Sequence, residues 1–266
     1  MRRGIRIVPL AIVGLIILFQ YFRSEKFINP ETGRKSHVAL STRDEAALGL
    51  QSYQEILSQS QVIESGPELE QVVRVAQRLA PATGEAAKDF DWKVSLLRSE
   101  QANAFCLPGG KIVVYTGILP LTRNDAGLAT VMGHEMAHAT SRHGSQRLFQ
   151  NTLAQTALAG ASMSFGDMEP RKRYAIMAAL GAGAQFGVLL PFSREHESEA
   201  DAIGLLYMAR AGYDPRESIQ FWERMAQESR GQTPEFMSTH PSHGTRIERL
   251  QQQMPKAVAE YEKSKR

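Results

Sequence analysis

His134 and His138 stand four residues apart with Glu135 beside the first, flanked by apolar or small residues on both sides. On an α-helix, residues i and i+4 share a face, so both imidazoles reach toward one point while the carboxylate at i+1 projects next to them. Two imidazoles held this way suit one metal ion, and the carboxylate is placed to hold a water. The spacing therefore demands a helix here. We expect it to open at Thr122-x-x-Asp125 as a capping box, carry the stripe Leu128, Val131 and Met132, and close at Gly144. The competing reading, a solvated helix with two surface histidines, conflicts with the apolar flanks.

The pentapeptide is H-E-x-x-H, the zinc helix of many metallopeptidases, and it leaves the metal one protein ligand short. Cys106 is the single cysteine, which excludes a disulfide framework and a cysteine-only zinc site. The stretch 193–201 offers candidates. Glu197 and Asp201 share a helix face, and Gly204 on the next turn is small enough to let that helix approach the zinc helix closely. Glu197 then serves as ligand and Asp201 accepts the N–H of a liganding histidine. Against this stands a solvated acidic face made of Glu195, Glu197 and Glu199.

The chain of 266 residues is 42% hydrophobic and 22% charged with 8% aromatics, which excludes global disorder and supports one medium domain or two small ones. Its net charge of +3 contains no run of five like charges, which argues against a nucleic-acid partner. Arg2, Arg3 and Arg6 precede an apolar run from Ile7 to Phe22, broken by Pro9 and Gln20. No small-x-small cleavage site follows, and Tyr21, Phe22 and Arg23 resemble an interfacial belt. Residues 1–26 are expected to form a retained transmembrane anchor with its N-terminus inside. A linker over 27–41, with Pro30 and Gly33, is expected next. A helix then opens at Ser41–Asp44 with Leu48, Leu50, Tyr53, Ile56 and Leu57 on its buried face. A second runs from Pro67 to about Leu79, ended by Pro81 and Gly84, burying Leu69, Val72, Val73, Ala76 and Leu79. Strands are expected over Trp92–Leu97 and Lys111–Tyr115, with a Pro108-Gly109-Gly110 turn between. Helices, a small antiparallel sheet, then helices make an α+β order. The main domain is expected over 42–255 and a polar tail over 256–266.

H-E-x-x-H followed by Ser193-Arg194-x-x-Glu197-x-x-Ala200-Asp201 resembles the gluzincin zinc metallopeptidases of the CAAX prenyl protease and HtpX group, most of all the small LoiP, BepA and Oma-type members. Asn29-Pro30-x-Thr32-Gly33-Arg34, Asn103-Ala104-Phe105 with Pro108-Gly109-Gly110 and Thr116-Gly117, and His240-Pro241-Ser242 with Arg246-Ile247 agree in the same order. No helical-repeat domain like that of BepA is expected after residue 250. The resemblance implies a zincin-like, mostly helical α+β fold and a zinc endopeptidase holding one zinc ion per chain. It makes His134, His138 and Glu197 the ligands, Glu135 the general base, and Asp201 the group orienting a ligand. It also implies quality control of envelope proteins, with polypeptide substrates, an inner-membrane anchor and a periplasmic catalytic domain. The alternatives are a zinc-bound chaperone or adaptor that holds extended chains without cutting, and a CAAX-type processing enzyme, whose relatives have many spans where this chain has one clear span.

Three regions stay open at this stage. Asn103, Ala104 and Phe105 are expected to border the substrate cleft and pair with an extended chain, although Ile112, Val113 and Val114 fit an ordinary core hairpin equally well. Cys106 reads as a small buried residue rather than a reactive thiol. His240 follows a polar stretch, 232–238, expected to be a loop. It is a catalytic donor to the oxyanion, a reversible fourth ligand that closes the site, or a residue at a helix start set by Pro241. His143, His196 and His243 are expected at the surface. Finally, Leu148–Phe165 and Tyr174–Phe192 are apolar and flank the polar turn Gly166–Arg173. One span here would part His134 from Glu197 across a membrane, so both segments cross or neither does. Gln150, Asn151 and Gln155 disfavour lipid, and the favoured reading is a helical hairpin over the active-site side that touches the bilayer, with Gly181, Gly183 and Gly187 lending it mobility to gate the cleft.

Overall fold

Prolines open helices where the sequence places them, Pro67 and Pro170 each in a first turn, where no N–H partner is lost. The computed structural model describes residues 6–228, 235–240 and 245–265. In chain order it forms α1 (Ile7–Arg23), β1 (Glu25–Ile28), β2 (Lys35–Val38), α2 (Thr42–Ser58), β3 (Val62–Ile63) and α3 (Pro67–Ala82). Strands β4 (Lys93–Leu97), β5 (Ala104–Leu107) and β6 (Lys111–Tyr115) follow. Helices α4 (Leu119–Thr122), α5 (Asp125–Thr140), α6 (His143–Ser164), α7 (Pro170–Ala184), α8 (Leu190–Arg210), α9 (Glu217–Glu228), α10 (Glu235–Thr239) and α11 (Arg246–Ser264) complete it. The chain divides into two compact units. One holds Met1–Ile28, Arg34–Ser41 and Gly144–Glu195; the other holds Asn29–Gly33, Thr42–His143 and His196–Arg266.

The second unit packs helices on a four-stranded sheet in the order β3-β4-β6-β5. The sheet expected as antiparallel is mixed, because β4 and β6 pair in parallel, Val94 opposite Ile112. A parallel pair needs a crossover, and residues 98–110 supply it while adding β5 as an antiparallel edge strand on β6. The core gathers α3, α5, α8 and α9 over this sheet, with Leu79, Leu96, Ile112, Met132, Tyr207 and Phe221 each at most 1% exposed. Each such side chain contributes about 1.5–3 kcal/mol by leaving water. Ile112 and Val114 lie in this core and Val113 packs with Tyr53 and Leu97 in a second cluster, all three buried as the plain hairpin reading has it.

Local departures have physical causes. The β1–β2 hairpin begins within the last residues of the expected anchor and fills much of the expected linker, Glu25 paired with Val38 through Ile28 with Lys35, and Gly33 (φ 70°) supplies the left-handed residue of its turn. Helix α2 buries Glu45, Gly49 and Tyr53, while Leu48 and Leu50 are exposed. Glu45 pairs with buried Arg142, and a Cβ on Gly49 would meet the Pro108 carbonyl, so this face is chosen by charge and close approach. Helix α3 runs past Pro81 to Ala82 and buries Val75 in place of Val73. The cap of α5 is Asn124, whose side chain accepts from Gly127 N at 2.8 Å, not Thr122. The helix ends where Arg142 turns to φ 55°, ahead of Gly144. Residues 235–238, expected in a loop, lie in α10, and α11 continues through the expected tail, burying Ala257. Residues 232–234, Pro241 and His243 lie outside the described residues.

In the first unit α1 and α6 run antiparallel along their length. Arg6 forks onto Asp167 at 2.6 and 2.7 Å and donates its backbone N–H to Ser164 O, Val13 packs on Gly160, and at the far end Tyr21 and Phe149 stack on either side of His37. The expected helical hairpin is present as α6, the turn after Ser164, and α7. Ile17, Leu153, Ala157, Leu180 and Val188 line an apolar groove of about 360 Å³ within this unit. Ile7, Leu15, Phe22, Met163 and Val188 are exposed.

Candidate metal centre

Gly133 and Gly204 set the geometry of the centre. A Cβ on Gly204 would sit 2.7 Å from His134 N, and one on Gly133 would sit 3.0 Å from Gly204 O, so α5 and α8 touch backbone to backbone. That contact brings His134, Glu135 and His138 of α5 against Glu197 and Asp201 of α8, as the sequence reading expected of Gly204. All five are buried or nearly so.

Four side chains converge. His134 Nε2 is 3.1 Å from His138 Nε2, 3.4 Å from Glu197 Oε2 and 3.3 Å from His240 Nδ1. His138 Nε2 is 3.5 Å from Glu197 Oε1, which is 3.2 Å from His240 Nδ1. A tetrahedral zinc with ligands at about 2.0–2.1 Å sets neighbouring ligand atoms about 3.3 Å apart, so these separations are the edges of a zinc-sized tetrahedron. The four ligand atoms lie within 4.8 Å of one another, and two imidazoles and a carboxylate are the donors zinc prefers. The residues fit one zinc ion.

The surroundings prepare each ligand. Nδ1 of His134 lies 2.9 Å from Asp201 Oδ1, and a ring proton placed on Nδ1 toward that carboxylate leaves the Nε2 lone pair facing the cluster. Burial works against a charge on His134, but the carboxylates of Asp201 and Glu197 outweigh it and raise its pKa to about 10. Burial likewise opposes the charges of Glu197 and Asp201. Hydrogen bonds to His134 and His240 nevertheless hold Glu197 below the usual carboxylate range, and the Arg246 guanidinium does the same for Asp201. Burial, with His134 adding to it, lowers His138. Glu135 is raised by burial, and among the described residues its Oε1 makes no hydrogen bond, lying 3.4 Å from His240 Nε2.

Sequence reasoning missed Arg246. Its guanidinium donates to Asp201 Oδ2 at 2.7 Å and to Glu197 Oε2 at 2.9 Å, and stacks over Trp222 at 3.9 Å. In the sequence Arg246 stands out only through the His-Pro signature. A basic residue in the first turn of a helix, where the macrodipole gives no reason for one, was the available signal. His143 and His196, expected at the surface, are 2% and 0% exposed. His143 bonds His138 and Glu199, and His196 stacks on its ring. Glu199 is buried as well, so the acidic run is not a solvated face. Asn103 leads into β5, Ala104 faces the core at 1% exposed, and Phe105 meets Tyr115 edge-on. Strand β5 packs on α5, and Phe236 N, on the helix preceding His240, donates to Ala102 O. Burial pushes the Cys106 thiol up, consistent with an unreactive residue.

What a centre of this kind does in an α+β zincin is hydrolyse peptide bonds, and the protein is a zinc metalloendopeptidase. Residues 67–254 match peptidase family M48, to which the chain belongs. It is 34% identical over 251 residues to the mitochondrial metalloendopeptidase OMA1 of Schizosaccharomyces pombe, covering 92% of this chain and 71% of the relative. Against OMA1 of Saccharomyces cerevisiae it is 33% identical over 271 residues, covering 93% and 74%. The beta-barrel assembly-enhancing protease of Yersinia pestis is 30% identical over 224 residues, 82% of this chain and 45% of that protein.

Proposed function

We propose that this peptidase uses His134, His138 and Glu197 as zinc ligands and Glu135 as general base, and that it acts in quality control of membrane-associated envelope proteins. The observation that carries the site assignment is the set of ligand edges, 3.1–3.5 Å, with an unbonded Glu135 oxygen beside it. Zinc held there supplies Lewis acidity, polarising the scissile carbonyl and bringing the pKa of water toward about 7. Glu135, kept protonatable by burial, takes the proton of the attacking water and passes it to the leaving amine. Asn103, Ala104 and Phe105 border the cleft, and the edge strand β5 receives the substrate backbone.

His240 is the reversible fourth ligand in this reading. Its Nδ1 sits at ligand distance from both His134 and Glu197, which favours the latch over an oxyanion donor. Anchoring is through the first unit. Helix α1 is apolar, and the 41-residue helix Pro170–Arg210 is long and apolar enough to cross a membrane. Helix α1 and the apolar hairpin of α6 and α7 belong to the same unit, which supports a hairpin that touches the bilayer beside a single α1 span, with the catalytic unit on the periplasmic side of an inner membrane. The beta-barrel and mitochondrial relatives support the envelope assignment by name alone.

Casein cleavage by the zinc-loaded, detergent-purified protein tests the reading. Glu135→Gln must lose cleavage by about 10²–10⁴-fold while keeping its zinc, and His240→Ala must cleave faster than the parent. A chain that holds casein, cuts in no variant and retains zinc is an adaptor. Equal rates and zinc contents in His240→Ala and the parent remove the latch.

A further inference from the structure

The segment Asn29-Pro30-Glu31-Thr32 has no part in the mechanism above, yet it ends one chain of hydrogen bonds that begins at a zinc ligand. Nδ1 of His138, the ring nitrogen turned away from the cluster, is 2.8 Å from Nδ1 of His143. Nε2 of His143 is 2.9 Å from Glu199 Oε2, and the Thr32 hydroxyl donates to Glu199 Oε1 at 2.6 Å. His196 stacks on the His143 ring at 4.0 Å and 11° and fixes its plane. The Thr32 end is tied down as well. Asn29 Oδ1 accepts from the backbone N–H of Glu31 and Thr32, and Asn29 Nδ2 donates to Ser141 Oγ just past the zinc helix.

With the Glu199 carboxylate ionised, the proton positions along this chain follow from its geometry. An ionised carboxylate only accepts, so Glu199 requires the His143 proton on Nε2. His143 Nδ1 is then an acceptor, and the proton between the two facing Nδ1 atoms belongs to His138. That leaves the lone pair of His138 on Nε2, the atom facing His134 and Glu197. We infer that His143, Glu199 and Thr32 are positioning residues that fix the tautomer of His138 for zinc, and that the Asn29–Thr32 segment exists to hold the far end of this relay. His134 reaches the same state by direct contact with Asp201, so the two imidazole ligands are prepared by different routes.

The inference rests on His138 being a zinc ligand. Zinc affinity of the full-length protein, measured by chelator competition, tests it in the parent, His134→Ala, His143→Phe, His143→Gln, Glu199→Gln and Thr32→Val. The phenyl ring keeps the stack on His196 but carries no hydrogen bond. The glutamine amide can accept from His138 and donate to Glu199. His143→Phe is expected to weaken zinc binding about 10–100-fold, with Glu199→Gln and Thr32→Val weaker in the same direction and His143→Gln restoring most of the loss. The thermal midpoint of zinc-free His143→Phe, which removes the imidazole partner of buried Glu199, is expected below that of His143→Gln, and zinc affinities are compared at a temperature where both are folded. Parent-like zinc affinity in His143→Phe overturns the relay, as does a loss in His143→Gln equal to that in His143→Phe. Should His143→Phe not fold, parent-like affinity in both Glu199→Gln and Thr32→Val overturns it instead. Equal zinc affinity in the parent and His134→Ala would instead refute the ligand assignment itself.

Discussion

The carboxylate of Asp201 lies 2.9 Å from Nδ1 of His134, on the side of the ring opposite the ligand cluster. One helical turn separates Asp201 from Glu197, so a single face of α8 carries both the proposed ligand Glu197 and the carboxylate proposed to orient His134. Asp201→Asn keeps the shape but offers an amide N–H where the ring needs an acceptor. Zinc affinity should fall about 10–100-fold, read by chelator competition, and a parent-like value would detach Asp201 from metal binding.

Gly204 predicts a stability effect at the same crossing. A methyl there meets His134 N at 2.7 Å and Gly133 C at 2.9 Å, both backbone atoms that cannot step aside. Gly204→Ala should cost about 1–3 kcal/mol by overpacking. At Gly144 a Cβ meets nothing within 4 Å, and Gly144→Ala should not destabilise. Urea midpoints of the two variants give the comparison.

Glu135 predicts the acid limb of activity. Burial raises its pKa above the ordinary value for a glutamate, near 4.3, and a general base works only when deprotonated. Activity is therefore complete above the raised pKa and disappears as pH falls through it. The acid limb of kcat/KM should lie above the ordinary carboxylate range; a limb at or below that range would exclude Glu135 as the group it reports.

Arg246 lies between two buried carboxylates, and its removal leaves both without their guanidinium. Arg246→Met should destabilise the zinc-free protein by about 3–5 kcal/mol, the usual cost of leaving a buried charge unpaired. Zinc brings positive charge to Glu197, so saturating zinc should recover part of the loss. Thermal unfolding with and without zinc measures both, and a loss indifferent to zinc would assign Arg246 to packing on Trp222.

How much of this was legible depends on the range of the interaction. His134, Glu135, His138, Glu197, Asp201 and Gly204 announce themselves because helical spacing puts each set on one face, a local property that sequence carries directly. His143, Glu199 and Arg246 do not. Each owes its role to a partner far along the chain, 56 residues for the His143–Glu199 bond and 49 for Arg246–Glu197. The β1–β2 hairpin escaped because short polar strands lack an apolar alternation to mark them. The buried face of α2 escaped because Glu45 and Gly49 are residues that hydrophobic periodicity counts as outward.

Strand β5 lies at the border of its sheet, with the zinc helix packed against it. A border strand presents backbone amides and carbonyls, which every polypeptide also possesses, and folded proteins have already committed theirs to partners of their own. A peptidase that gathers its substrate by this means does not need a recognition sequence. In the binding mode proposed for β5, what is read is whether several successive peptide groups are still unclaimed, so damage or failed assembly is itself the signal, and a well-folded protein is spared without any dedicated discriminating contact.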